Sequence, residues 1–220
     1  MHEIGVREVV TFAGMQFNIQ TLEMTWLAMA IVILIAFLAT RSLKLVPSGW
    51  QNVIEMVIVW LNEQIGVTLG SRGQLVAPFL ITLFLFLLIS NWIGLIPTLA
   101  SPTNDLNTTL GLALLVIVML HVLGLYYKGF NYIKHFFQPV APFVIINLIE
   151  EIAKPITLAF RLFGNIVAGE ILLEILYNLP WFVPVPWVWI AFSLFIGIIQ
   201  AFIFTVLTAN YLGMALSEEH

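Results

Sequence analysis

Residues 147–177 read NLIEEIAKPITLAFRLFGNIVAGEILLEILY. Most of this stretch is apolar enough for a bilayer, yet it holds Glu150, Glu151, Lys154, Arg161, Asn165, Glu170 and Glu174. Arg161 stands between ITLAF and LFG, with no other charge for about two helical turns on either side. A charged side chain at bilayer depth costs about 2.5–3.5 kcal/mol on insertion scales. Such an arginine needs a partner, a water-filled cavity or a function. Carboxylates three or four residues away would form a local ion pair, and Arg161 has none. Its counter-charge must come from another span or another subunit.

Composition agrees with a membrane setting. The 220 residues are 61% hydrophobic and 9% charged, with mean hydropathy +1.03. Soluble domains are nearer 45–50% apolar and about 25% charged. A single span needs only about 20 apolar residues, so a chain this apolar is polytopic and all-α. With no cysteine, disulfides and thiolate metal sites are excluded. Four scattered histidines do not suit an imidazole metal cluster, and no cofactor is expected. There is no basic cluster to suggest nucleic acid.

Outward from the central stretch, the chain divides as one membrane domain. Residues 1–21 read as a polar outer leader. Its Glu3 and Glu8 do not suit a cleaved signal peptide, so the first apolar run reads as a retained span, 22–40, ending at Arg41 and Lys44. Residues 50–69 carry Asn52, Glu55, Asn62 and Glu63 at helical intervals, the pattern of an interfacial amphipathic helix. Spans follow over 75–96 and 106–127, separated by the turn-rich PTLASPTNDLNT. A basic, aromatic connector with Lys134, His135, Pro139 and Pro142 leads to the long fourth span, 143–177. That span is expected to be strongly tilted, or kinked at Pro155. A fifth span, 187–213, packs back on it as a hairpin, and a tail of 214–220 follows. No internal repeat supports an inverted-repeat transporter. Lysine and arginine placement puts Arg41, Lys44, Arg72, Lys128 and Lys134 on one side. The N-terminus is then outside and the C-terminus inside.

On the long helix, Lys154, Glu150 and Asn165 lie near the face of Arg161, while Glu170 and Glu174 point the opposite way. Arg161 thus separates two polar sets at different depths. Gln200 is a mid-membrane amide sharing a face with Ser193 and Gly197, and it is expected to face Arg161. Asn91 and Asp105 lie near the outer end, either lining a water path or capping helices. His121 lacks the second ligand that a haem would want and reads as structural.

The segments RLFGNIVAGE (161–170), IQAFIFTVLT (199–208), SNWIGLIP (90–97) and SPTNDLNTTL (101–110) closely resemble subunit a of F-type ATP synthases, of the bacterial or organellar type. The resemblance implies an ion-translocating stator subunit in the membrane sector. Its partners would be a c-subunit ring, the b-subunit peripheral stalk and membrane lipid, in a bacterial plasma membrane. The translocated ion would be a proton, with sodium as the alternative. Two offset half-channels would serve the ring carboxylates, and Arg161 would match the essential arginine that prevents a short circuit. Glu170 would match the outer half-channel carboxylate, and Asn165 and Gln200 the polar residues beside the arginine. Some relatives carry a histidine seven positions before the glutamine; here Ser193 holds that place. Glu150 or Glu151 would serve the inner exit. The alternatives are a free-standing ion channel or small secondary transporter, and a purely structural anchor.

Overall fold

The structure is a computed structural model of the chain. It describes residues 9–12, 15–41, 44, 49–70, 73–96, 99–130, 132, 143–180 and 184–216. Arg7, Arg72 and Lys134, the connector residues His135, Pro139 and Pro142, and the tail from Ser217 lie outside the described residues.

Two short strands open the description, β1 (Val9–Phe12) and β2 (Met15–Asn18). They pair antiparallel, with Val9 opposite Asn18 and Phe12 opposite Met15. The polar leader expected over 1–21 therefore contains a hairpin that its sequence did not announce. The helices are α1 (Ile19–Thr40), α2 (Trp50–Leu69), α3 (Gly73–Ile93), α4 (Leu106–Lys128), α5 (Phe143–Tyr177) and α6 (Val185–Leu216). A 3-10 turn, Pro102–Asn104, precedes α4. All but α2 are long and apolar enough to cross a membrane. The fold is an all-α polytopic membrane protein with a small hairpin at its N-terminal end.

Local chemistry sets the ends. Asn18 accepts from Thr21 N at 3.3 Å and caps α1, and Asp105 accepts from Asn107 N at 2.9 Å and caps α4. Glycines with positive φ bound α2 on both sides, Gly49 at 63° and Gly70 at 60°. L side chains avoid that region, so a glycine is the natural stop there.

Helix α5 runs unbroken through Pro155 for 35 residues. At 1.5 Å per residue it is about 52 Å long, against a hydrocarbon core of about 30 Å. It must tilt steeply or project well beyond the core. Proline brings no N–H, so the carbonyl of Glu151, four residues back, loses its ladder donor.

Two buried apolar clusters hold the bundle together. The first joins Leu158, Ala159 and Leu162 of α5 to Leu83, Phe84 and Leu87 of α3, Ala113 and Val116 of α4, Ala201 and Phe204 of α6, and Leu61 of α2. The second gathers Ile65 and Leu69 of α2 against Leu80 of α3, Leu120 of α4 and Leu212 of α6. Residues 61, 65 and 69 repeat every four positions, so one stripe of α2 is buried while Asn62 and Glu63 stay exposed. The expected hairpin of the last two helices is looser than its short turn suggests. Helix α5 packs most extensively on α4, and α6 on α3, with a smaller contact between α5 and α6. Helix α1 buries only Ala28 and turns most of its apolar surface outward.

Candidate functional site: two polar cavities on one long helix

Arg161 is exposed on α5. Among the described residues it has no hydrogen bond and no ion pair. Leu158, Ala159 and Leu162 of the same helix are almost wholly buried in the first apolar cluster. One side of the helix is therefore packed into the protein, and the guanidinium leaves on the other.

Beyond Arg161 toward the C-terminal end of α5 lies a cavity of about 260 Å³ between α3, α5 and α6. Asn91, Gly94, Asn165, Glu170, Trp189 and Ser193 are among its lining residues. Glu170 is gripped by the loop before α4: Ser101 N donates to its Oε1 at 2.9 Å, and Asn104 Nδ2 donates to its Oε2. That loop is in turn fixed. Ser101 Oγ donates to Ser90 O at 2.8 Å and pairs with Thr103 Oγ1 at 2.6 Å. Thr103 Oγ1 donates to Asn91 Oδ1 at 3.1 Å, and Asn91 Nδ2 to Gly197 O at 3.2 Å. Gly94 and Gly197 have no side chain, and this lets Ser101 and Trp92 come close. Trp189 Nε1 donates to Gly169 O at 3.3 Å across α6 and α5. At the inner wall of this region Asn165 Nδ2 donates to Gln200 Oε1 at 2.8 Å. Gln200 is 2% exposed, and its Nε2 has no hydrogen-bond partner among the described residues.

A second cavity, about 110 Å³, sits at the opposite end of the bundle. Glu150, Glu151 and Lys154 line it from α5, with Lys128, Tyr132, Asn147 and Met214. Lys154 Nζ lies 2.5 Å from Glu151 Oε1 and 3.6 Å from Glu150 Oε1. Lys128 Nζ donates to Met214 O at 2.8 Å, tying the C-terminal ends of α4 and α6 together. Tyr132 is held neutral: burial first, and the Glu151 carboxylate second, push its hydroxyl from 10.0 up to about 12. From Glu151 to Arg161 is about 15 Å along the helix, and from Arg161 to Glu170 about 13 Å. The dry cluster around Leu158 and Leu162 occupies the interval.

The family model described as ATP synthase A chain matches residues 22–213. "ATP synthase subunit a" of Desulforamulus reducens is 42% identical over 217 residues, covering 94% of this chain and 82% of that relative. The protein of the same name from Acidothermus cellulolyticus is 41% identical over 223 residues, 97% of this chain and 82% of the relative. "ATP synthase subunit a 2" of Syntrophotalea carbinolica is 42% identical over 201 residues, 89% and 85%. The chain belongs to the ATP synthase A chain family. The reading of its motifs as the ion-translocating stator subunit of the membrane sector therefore holds, and a free-standing channel or secondary transporter is not favoured.

Within this family member, the residues singled out in the sequence fall into distinct places. Glu170, Asn165 and Asn91 line one cavity, and Glu150 and Glu151 the other. Gln200 does not meet Arg161 by a hydrogen bond; Asn165, one turn further along α5, takes its carbonyl oxygen. Gly197 lets α3 approach α6 closely: a Cβ there would stand 3.2 Å from Trp92 Cδ1. Asp105 acts as a cap and a tie, accepting from Asn107 N and from Thr21 Oγ1 at 3.2 Å. Glu174 is exposed. Sequence reasoning assigned nothing to Ser101, Asn104 or Tyr132. The motif SPTNDL contains the first two, but a backbone N–H bound 69 residues away leaves no spacing to read.

Proposed function

We propose that this chain passes protons between the two sides of a bacterial plasma membrane by way of carboxylates on a neighbouring c-ring. The Glu170 cavity is the outer access path, and the Glu150–Glu151 cavity is the inner exit. Arg161 lies between them on the exposed side of α5. There it attracts each deprotonated ring carboxylate and denies a proton the direct route from one path to the other. Asn165 and Gln200 fix the polar ground beside it, and Asn91 anchors the loop that holds Glu170. Ser193 lines the outer cavity where some relatives carry histidine, so water and Glu170 conduct there without an imidazole. Charge placement at Arg41, Lys44 and Lys128 puts the N-terminus outside and the C-terminus inside. Helix α2 lies near the inner interface. The apolar outer faces of α1 and α2 are left for lipid and for the b-subunit stalk.

One observation carries this reading: an exposed arginine with no partner of its own chain among the described residues, set between two polar cavities that a buried apolar cluster keeps apart. The test is cysteine crosslinking of successive α5 positions to the ring helix that bears the carboxylate, together with Arg161→Ala. Crosslinks should follow the Arg161 face. The variant should assemble with the ring but lose proton-driven ATP synthesis. Normal synthesis by the assembled variant, or crosslinks confined to the Leu158–Leu162 face, would refute the assignment. Flux that depends on sodium at constant pH would reassign the ion.

A further inference from the structure

The inner cavity holds more chemistry than the exit carboxylates account for. Glu151 presents its two oxygens to different neighbours. Oε1 is taken by Lys154 at 2.5 Å. Oε2 is buried, has no hydrogen-bond partner among the described residues, and lies 4.0 Å from His121 Nε2. The other ring nitrogen of His121, Nδ1, is 2.8 Å from the Tyr132 hydroxyl. The His121 side chain is 37% exposed and the Glu151 side chain 16%, so the imidazole reaches solvent more than the carboxylate does. Lys154 is 9% exposed and rests over the Tyr211 ring, 5.8 Å from its centroid. Its position is set from two helices. Among the described residues, the groups around Glu151 are Glu150 and Lys154 of its own helix, His121 and Lys128 of α4, and Tyr132. Helix α6 brings no charged side chain to this end, only Tyr211 and the Met214 carbonyl.

We propose that His121 is a proton-transfer residue that carries protons between Glu151 Oε2 and the inner aqueous phase, with Tyr132 setting its tautomer and Lys154 positioning Glu151. This rests on the inner-exit reading of the Glu150–Glu151 cavity. Tyr132 accepts a hydrogen bond from His121 Nδ1–H, which leaves the Nε2 lone pair toward Glu151. The proton leaves Glu151 Oε2 as its O–H bond breaks, and an N–H bond forms at Nε2. A carboxylate and an imidazolium result. The imidazolium then releases the Nε2 proton to water, and the neutral ring is restored. The 4.0 Å gap exceeds hydrogen-bond length, so a small turn of the ring closes it. Lys154 holds Oε1 throughout, so the same oxygen of Glu151 meets the imidazole each cycle. Gly124 makes room for the arrangement: a Cβ there would stand 2.5 Å from Tyr132 Cε2.

The test uses the complete ATP synthase in proteoliposomes. Proton flux is driven by a potassium diffusion potential while pH on the inner side is stepped at fixed outer pH. Wild-type flux should show an inflection as the inner pH is stepped. His121→Gln should lose it and slow flux at least fivefold, with partial rescue by added imidazole. Tyr132→Phe should move the inflection. Glu151→Gln in the same assay separates the two levels of the reading. If Glu151→Gln slows flux but His121→Gln keeps the wild-type rate and profile, the relay is overturned and the exit stands. If Glu151→Gln leaves flux unchanged, the exit reading itself fails. Should His121→Gln not assemble, Tyr132→Phe, which removes one oxygen, decides: an unshifted profile overturns the proposal.

Discussion

Gly94→Ala tests whether the loop before α4 holds Glu170 in working geometry. A Cβ at Gly94 would stand 2.7 Å from Ser101 Cβ and 3.1 Å from Ser101 N, and it would also press on Glu170 Oε1. Non-bonded carbons settle at about 3.5–4.0 Å, so Ser101 must retreat by about 0.8–1.3 Å. The Ser101 N to Glu170 Oε1 bond is 2.9 Å, and such a retreat carries it beyond hydrogen-bond range. A bond to a charged group contributes about 1.5–3 kcal/mol. Asn104 keeps its own bond to Glu170, which favours the lower figure, and 1.4 kcal/mol is about tenfold in rate. Gly94→Ala should therefore slow potential-driven proton flux through the reconstituted complex about tenfold, with the ring still co-purifying. Gly111→Ala is the control, because nothing lies within 4 Å of a Cβ there, and its flux should match wild type. Wild-type flux in an assembled Gly94→Ala complex, with Glu170→Gln slowed in parallel, would show that Glu170 works without the grip of the loop.

Three further outcomes follow from the geometry. Asp105→Ala should lower thermal stability by about 1 kcal/mol through loss of the α4 cap, while Asp105→Asn, a comparable cap, should recover most of it; thermal unfolding in detergent reads the difference. Leu162→Asn, in the dry cluster, should raise proton leak measured with the ring carboxylates chemically blocked; an unchanged leak in the assembled variant would show that Leu162 is not part of the barrier. Tyr132 should ionise near pH 12 rather than 10 in a wild-type minus Tyr132→Phe ultraviolet difference titration. Because folding raises that value, the stability Tyr132 contributes is fully present below about pH 10 and is lost as pH rises through 12.

The long spans were legible because burying an apolar run in lipid leaves few other options. Residues 143–177 are an example, and α5 occupies that range. The α2 stripe was legible from its three-, four- and seven-residue intervals. The N-terminal hairpin was not, since VVTF and MQFN are too short for a period to stand out. At the site, Arg161 and Glu170 could be found from the cost of charge at depth. The Glu170 clamp could not, because it depends on one backbone N–H brought from 69 residues away and one loop amide from 66. Gln200 shows the same limit. Helix geometry put it on the right face for α5, but pairing by depth chose Arg161, whereas the register between helices gave Asn165. His121 looked structural as a lone imidazole. Only the packing of α4 on α5 sets it beside Glu151.

The division of faces on α5 bears directly on coupling. One proton crossing 100 mV is worth about 2.3 kcal/mol. An ion forced through dry protein costs several kcal/mol even after relaxation. The cluster around Leu158, Ala159 and Leu162 is such a region, with each of those side chains at most 1% exposed. The desolvation penalty behind the helix thus exceeds the drive for a single proton. In front of the helix no such packing exists among the described residues, and in the proposed function that side stays open to a moving partner. On that proposal a positive charge is the remaining means of keeping a proton from crossing there, and it also draws a carboxylate. The proposal therefore needs the arginine on the exposed face alone. On the buried face, a second one would add its own desolvation cost to a barrier that the leucines already supply.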